Sequence, residues 1–508
     1  MGRVGALPAG PRGLPLLGNI VQLEHDALGF LMAVQRRYGR MATIRFGQTP
    51  VVVLFDPEHI RHVLAERPEI FANGDVAGGL AYGKLLRLSL LMKGLANQAA
   101  NRLRDLVGDD GLIMGDGDHH DRLRHLIQPA FSRRGIAPST AMITQYAEDL
   151  VSSWHAGQEL EIVGEIRRLT LRVILTILVG SEFANESHGG PEIMEAMLRN
   201  PANLLEAMLQ QLPIDLPFTP YGRRMNVKRR GDRALYGLID RRAAEGRTAG
   251  DVLSVLLSSE DGEQRRLSRE QVRDAIVSLI AAGHETTTNT LAWTIYLLSC
   301  HPEVFERVRS ELAAVLGGRS PVLDDLPRLV YLNQVIRESM RLYPAGWVMG
   351  RISRGDFSLD GYHLPPGTRL MLTQWVTHRH PDLWEEPDAF RPERWDPATP
   401  TKRPEWAYFP FGLGRRICPG KSLSELETLL VLPVLLQRFF PRVIAGQAVE
   451  PLPLITLRPK LGILVRLEPV ATDQKLPAGQ SGSPTPSRCP FPHERQTGSE
   501  RQPAGALQ

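Results

Sequence analysis

The strongest constraint on the fold is one long helix written between Ser268 and Cys300. Ser268 and Gln271 have capping-box spacing, and Leu267 with Val272 makes a hydrophobic staple. A helix of that length reaches about 50 Å, at roughly 1.5 Å per residue. Its middle, Ala275-Ile276-Val277 and Leu279-Ile280-Ala281-Ala282, is apolar nearly all round. Such a helix belongs at the centre of a body, wrapped by other elements. A chain of 508 residues, 43% hydrophobic and 23% charged, has enough material for that wrapping. These proportions exclude a wholly disordered chain, a collagen-like one and a coiled coil.

The surrounding pattern predicts a mainly α fold with small β-sheets, of α+β class. Apolar residues recur at helical spacing over 26–38, 121–131, 140–154, 165–179, 193–210 and 224–245. Alternating segments at 41–46 and 51–55 read as strands joined by a Gly47-Gln48-Thr49-Pro50 turn. Asp56 and Pro57 open another helix as cap and first residue. Short strands return at 357–359, 369–372 and 463–467. Residues 1–19 form a Pro/Gly-rich, irregular lead-in. Residues 20–471 read as one large domain. Residues 472–508, rich in Gln, Gly, Ser and Pro, read as a disordered tail. The 74–111 region reads as loop plus short helix.

Lys and Arg total 60 against 56 Asp and Glu, a net charge of +4, which points to no nucleic-acid partner. Cys300, Cys418 and Cys489 lie far apart, so no disulfide framework or zinc spacing is present. That usage fits a reducing compartment. No run of about 18 uncharged apolar residues suggests a membrane span, and a cytoplasmic location is expected. The basic run Arg223-Arg224 with Lys228-Arg229-Arg230 reads as a solvated helix face rather than a membrane contact.

Two segments carry the chemistry. Phe411-Gly412-Leu413-Gly414-Arg415-Arg416-Ile417-Cys418-Pro419-Gly420 precedes an amphipathic helix. Its glycines permit a tight loop and a close approach, and Pro419 suits the first helical position. Cys418 then sits at a helix N-terminus, where the Gly420 and Lys421 amides favour thiolate. That suits a ligand to a metal bearing anionic groups; a buried structural cysteine is the alternative. The long helix carries Gly283-His284-Glu285-Thr286-Thr287-Thr288 within its apolar wall. Gly283 would let a ligand lie against the backbone, and the threonine hydroxyls would bend or widen the helix. A purely structural kink is the alternative. An HExxH zinc site is excluded, because Thr288 occupies the second ligand position.

Other groups are plainer. Glu338 and Arg341 share a helix face, with Arg394 in Pro392-Glu393-Arg394-Trp395 available as a third partner; the set reads as structural. His120 and Arg124, four apart, suit gripping an anion or facing water. His378 and His380 read as a solvated loop.

Taken together, Ala282-Gly283-His284-Glu285-Thr286-Thr287, Glu338-Ser339-Met340-Arg341, Pro392-Glu393-Arg394-Trp395 and the Phe411–Gly420 loop resemble the cytochrome P450 family of haem-thiolate monooxygenases. The loop matches every fixed position of the family signature FGxGxRxCxG. The resemblance runs from about residue 8 to about residue 467 and favours the soluble bacterial type. It implies haem b (iron protoporphyrin IX) between the long helix and the helix after the Cys loop. It implies Cys418 as axial ligand to iron, and His120, Arg124, Arg351 and Arg416 as partners of the propionates. Glu285 and Thr286 resemble the acid–alcohol pair that serves dioxygen, and Glu338, Arg341 and Arg394 the buried structural triad. Electrons would come from a separate ferredoxin or flavodoxin with its reductase, docking near Arg415, Arg416 and Lys421. The 74–111 region is longer than is usual in soluble members and would form an enlarged lid.

The segments expected to line the pocket, 80–95, Ala281-Ala282 and Ala345-Gly346-Trp347-Val348-Met349, are apolar. They favour a hydrophobic substrate: terpenoid, polyketide, steroid or fatty acid, as in secondary metabolism. Two rivals stand beside this reading. One is a haem-thiolate binding or sensor protein without turnover. The other is a helical scaffold that binds partners through residues 80–95, which leaves the Cys loop unexplained.

Overall fold

The computed structural model describes residues 3–4, 7–74, 112–113, 115–184, 189–198, 214–246, 250–258, 266–399 and 403–470. The lid expected beyond residue 74, the pocket lining at 80–95 and the tail at 472–508 lie outside them.

The central helix runs Arg269–Cys300 without interruption, opened by the capping box of Ser268 and Gln271. Helix Ile162–Val179 packs along it. Gly283 sets that approach, because a Cβ there would lie 3.0 Å from the Ile174 side chain. The room expected beside Gly283 for a ligand is therefore taken by a neighbouring helix. Thr286, Thr288, Thr290 and Thr294 each return their hydroxyl to the carbonyl four residues earlier. The helix nonetheless stays continuous, because a carbonyl has two lone pairs and can take a hydroxyl beside its amide.

Helices Pro302–Leu316, Val330–Leu342 and Lys421–Leu436 pack on other parts of the central helix. Trp293 stacks on Tyr343 with ring centroids 4.1 Å apart and donates its Nε1–H to the Leu457 carbonyl at 3.0 Å. Towards its C-terminal half the helix is buried on every side, from Thr287 to Leu298. Ala282 is exposed and Thr286 half-exposed, four residues apart, so the helix opens on one side there.

The main sheet has five strands in the order Met41–Phe46, Thr49–Leu54, Arg369–Leu372, Met349–Ser353, Phe71–Gly74. Phe46 pairs with Thr49, so the hairpin turn is two residues, Gly47-Gln48, rather than the four expected. Pro50 fits because the parallel pairing with Arg369–Leu372 starts only at Val51. The lead-in is more ordered than expected: Arg3–Val4 pairs with Tyr362–Leu364, and Gly18 bridges to Phe46. A second sheet joins Phe439–Val443, Leu464–Pro469 and Glu159–Glu161.

Glu338 and Arg341 are fully buried. Both Glu338 oxygens take the Arg341 fork at 2.9 Å. The carboxylate also accepts from Arg394 Nε, Trp395 Nε1 and the Arg391 amide, each at 3.0 Å. Burial alone would raise the Glu338 pKa, but the Arg341 fork and these donors hold it below the usual range. Arg341 meets the carbonyls of His378, Pro387 and Ala389 on its other side. Helix Val330–Leu342 is thereby fastened to the segment that leads into the Cys loop.

His378 departs from expectation. It is fully buried among Trp384, Tyr408 and Phe409, and its Nε2 accepts from the Phe409 amide at 3.0 Å. Burial, with Arg341 and Arg379 nearby, keeps it neutral, its pKa well below the ordinary value. His380 bonds Gln35 at 2.8 Å.

Glu427, inside helix Lys421–Leu436, is buried with its Oε1 lacking a hydrogen-bond partner. Burial pushes its pKa up to about 8 from 4.5. The unfolded chain releases this proton near pH 4.5 and the native chain keeps it until about pH 8. Stability therefore falls with rising pH across that window. Glu427→Gln keeps the shape and abolishes the titration. Between pH 5.5 and 8, urea melts should show the variant gaining on the parent by on the order of 3 kcal/mol. An offset that does not change with pH would contradict the buried neutral acid.

Candidate active site

The Cys loop is tied to itself by the Cys418 amide on the Phe411 carbonyl at 2.9 Å and the Ile417 amide on the Gly414 carbonyl at 3.1 Å. Gly414 has φ +66°, and a Cβ there would lie 2.0 Å from the Leu64 carbonyl oxygen. The close approach foreseen for these glycines is thus partly to the protein's own His62–Glu66 turn. Gly420 caps the next helix, which begins at Lys421, so Pro419 lies just ahead of it rather than at its first position.

The Cys418 sulfur is open on one side and walled by protein on the others. The Gly420 and Lys421 amides do reach it, and Arg124 is near. Burial still outweighs them and pushes the thiol pKa up. The Gly420 and Lys421 amides thus act in the expected direction, towards thiolate, and burial opposes them. A cation bound at the sulfur would favour the thiolate.

Four cationic or titratable side chains gather behind this loop. Arg124, on helix Gly117–Ile127, donates to the Ile417 carbonyl at 2.6 Å. His120, on the same helix, is buried, and its Nδ1 lies 3.3 Å from Asp121 Oδ1. Burial, and then Arg416, lowers its pKa. Arg416 pairs with Asp116 and reaches the Gly115 carbonyl at 3.3 Å. Arg351, on strand Met349–Ser353, is buried and bonds the Gly350 carbonyl at 2.7 Å. It has no carboxylate partner among the described residues. Burial and the charge of Arg416 hold its pKa at about 10. Asp116 is shared with Arg354, and Asp121 with Arg415. The cluster thus retains positive charge away from water, which is costly unless an anion joins it.

Glu285 and Thr286 face different spaces, being about 100° apart round the helix. Thr286 lies on the open side beside Ala282, its hydroxyl on the Ala282 carbonyl at 2.8 Å. Glu285 lines a polar cavity of about 210 Å3 with Arg167, Arg458, Lys460 and Glu161. Thr287, one residue after Thr286, reaches Ser424 of the post-Cys helix at 3.5 Å. Trp347, expected in the pocket wall, is buried with its Nε1–H on the Leu454 carbonyl at 2.8 Å and serves packing.

A groove of about 1280 Å3 runs along the outer side of the Cys loop and does not include Cys418. Five cations (Arg61, Arg133, Arg337, Arg403, Lys421) and three carboxylates line it. Of the trio expected to receive a carrier, only Lys421 lies in it; Arg415 and Arg416 are engaged with Asp121 and Asp116. The other four cations come from four distant segments, and no spacing in the sequence links them.

Residues 8–87 and 92–465 match the family model for Cytochrome P450. The chain belongs to the cytochrome P450 family. Among similar proteins, Cyclooctat-9-en-7-ol 5-monooxygenase of Streptomyces melanosporofaciens is 31% identical over 447 residues, covering 86% of this chain and 90% of that one. Pentalenene oxygenase of Streptomyces avermitilis is 28% identical over 454 residues, 88% and 94% of the two chains. The solved structure of retinoic acid bound cyanobacterial CYP120A1 matches with TM-score 0.77 and 26% identity, covering 92% of this chain and all 100% of that one. The mainly helical P450 fold and the monooxygenase class are thereby established, as is a haem cofactor for the family. Among the described residues no helix is long and apolar enough to cross a membrane.

Arg351 offers a direct check of this electrostatic picture. In the cofactor-free protein, Arg351→Met removes a buried cation crowded by Arg416. Denaturant melts should show a gain of about 1 to 2 kcal/mol. A loss of that size would mean that Arg351 already has its counter-charge.

Proposed function

We propose that this P450 binds haem b through Cys418 and inserts one atom of dioxygen into a hydrophobic terpenoid, with electrons from a separate carrier. One observation carries the cofactor reading. A cation at the sulfur would favour thiolate, while Arg351, buried and without a carboxylate partner among the described residues, calls for an anion, and the two meet at one loop. An iron porphyrin with two propionates supplies both. In this reading Arg351 and Arg416 hold the carboxylates, with His120 and Arg124 beside them. Residues 20–471 act as one catalytic unit; the family match across 8–465 supports this.

When bound, haem with a thiolate ligand activates dioxygen and favours cleavage of its O–O bond. The chain's own part is to hold charge and deliver protons. The Gly420 and Lys421 amides temper the sulfur's charge. Arg124 fixes the loop through the Ile417 carbonyl. Thr286 donates its own proton to Ala282, which leaves its oxygen free to accept from ordered water on the open side. Glu285, in its polar cavity, passes protons inward from solvent.

Relatives named for cyclooctat-9-en-7-ol and pentalenene support a terpenoid substrate. The apolar Ala281 and Ala282 beside Thr286 suit such a molecule. For the carrier, the excess of cations in the groove beside the Cys loop suits an acidic ferredoxin or flavodoxin.

The test is a titration of the haem-loaded protein with cyclic terpenes and with fatty acids, followed by turnover with a competent carrier. Terpenes should shift the iron's spin state and be hydroxylated. A coloured protein that oxidises none of them would favour the sensor reading. In the same assay Thr286→Ala should keep consuming electrons while releasing hydrogen peroxide in place of most product. Unchanged coupling would remove Thr286 from the proton path.

A further inference from the structure

We propose that Asp116 is a charge-setting residue of the cofactor site: its carboxylate engages Arg416 and so limits how tightly the site holds the anionic edge of its cofactor. The inference rests on the haem reading above and adds a residue to it. The sequence singles out the arginines and the histidine of this region, and not the acid set among them.

Asp116 is held in place from several sides. It caps helix Gly117–Ile127, its Oδ1 accepting from the Gly117 amide at 3.0 Å. The same oxygen accepts from Arg416. Its Oδ2 accepts from the Arg354 guanidinium at 2.6 Å. The backbone on either hand is fixed as well. The Ile113 carbonyl, three residues earlier, takes the Asn73 side chain at 2.8 Å, and Asn73 pairs with Arg351 across the sheet. The Arg354 amide is anchored on the Ile70 carbonyl at 2.7 Å.

A cap needs an acceptor and not a charge, since Asn caps a helix as well as Asp does. The charge of Asp116 acts elsewhere. Arg416 gives one terminal nitrogen to Asp116 and the other to the Gly115 carbonyl at 3.3 Å. Asp116 also acts through space on buried Arg351, against the repulsion of Arg416. Arg354, with its side chain 56% exposed, holds Asp116 from the solvent side, where water screens the pair. Asp121, the other acid at this end of the helix, is drawn to His120 and to exposed Arg415. Asp116 and the cofactor's carboxylates therefore call on the same guanidinium. Two negative groups on one arginine repel each other, so the hold is weaker than the arginines alone would give. A fixed negative charge at the cofactor's edge also favours the more positive oxidation state of its iron.

The experiment compares the haem-loaded parent with Asp116→Asn and Asp118→Asn. Asn keeps the cap and an acceptor for Arg416 while removing the charge. Asp118, exposed in the first turn of the same helix, serves as the control for net charge. Haem transfer to excess apomyoglobin reads release, and a spectroelectrochemical titration reads the potential. Asp116→Asn should release haem about tenfold more slowly than the parent. Its potential should move to more positive values. Asp118→Asn should match the parent in both. Release from Asp116→Asn as fast as from the parent or faster, an unmoved potential, or the same changes in Asp118→Asn would overturn this inference and leave the haem reading standing. A parent that takes up no haem would overturn that reading, and this inference with it.

Discussion

Two unmet charges of opposite sign sit at one loop. Burial pushes the pKa of the Cys418 thiol up despite two backbone amides aimed at it. Behind it, Arg351 is buried without a carboxylate partner among the described residues, and Arg416 adds repulsion. Neither demand can be met by the other, because a thiol kept neutral offers the arginines nothing. A ligand that carries a metal cation at its centre and carboxylates at its edge relieves both together. The site is in this sense incomplete by construction, and the body around it must keep it so.

That duty explains where the rigidity lies. The central helix could have broken at its cluster of threonines, yet the hydroxyls of Thr286, Thr288, Thr290 and Thr294 are returned to carbonyls one turn back and the helix runs on. Gly283 lets the Ile162–Val179 helix press close and stiffens the wall at the segment that carries Glu285 and Thr286. On the other side, a single carboxylate, Glu338, collects donors from Arg341, Arg394, Trp395 and the Arg391 backbone. Arg341 in turn grips carbonyls up to Ala389. The chain ahead of the Cys418 loop is thereby tied down at Pro387, Ala389, Arg391, Arg394 and Trp395.

What could be read from sequence was mostly local. The capping box at Ser268, the Asp56 cap and the Glu338–Arg341 spacing are each written within a few residues, and each is found as written. What could not be read depends on neighbours far along the chain. His378 looks like a loop histidine until Tyr408 and Phe409 close over it. Trp347 looks like pocket lining until Leu454 claims its ring nitrogen. The strand Pro451–Pro453 has no pattern of its own and exists through its pairing with Leu457–Pro459. The burial that opposes the amides at Cys418 is hidden from sequence for the same reason. Amides at a helix end are visible in sequence, while the quantity of protein around a sulfur is not.

The account stands on the bond between this sulfur and haem iron, and the spectrum of the reduced, carbon-monoxide-bound protein reads that bond directly. Thiolate ligation places the Soret band far to the red of that given by histidine or water. The parent should show the red-shifted band, and Cys418→Ser, folded and loaded with haem, should lose it. A parent that takes up haem without the shift, or a Cys418→Ser protein that keeps it, would contradict the central claim.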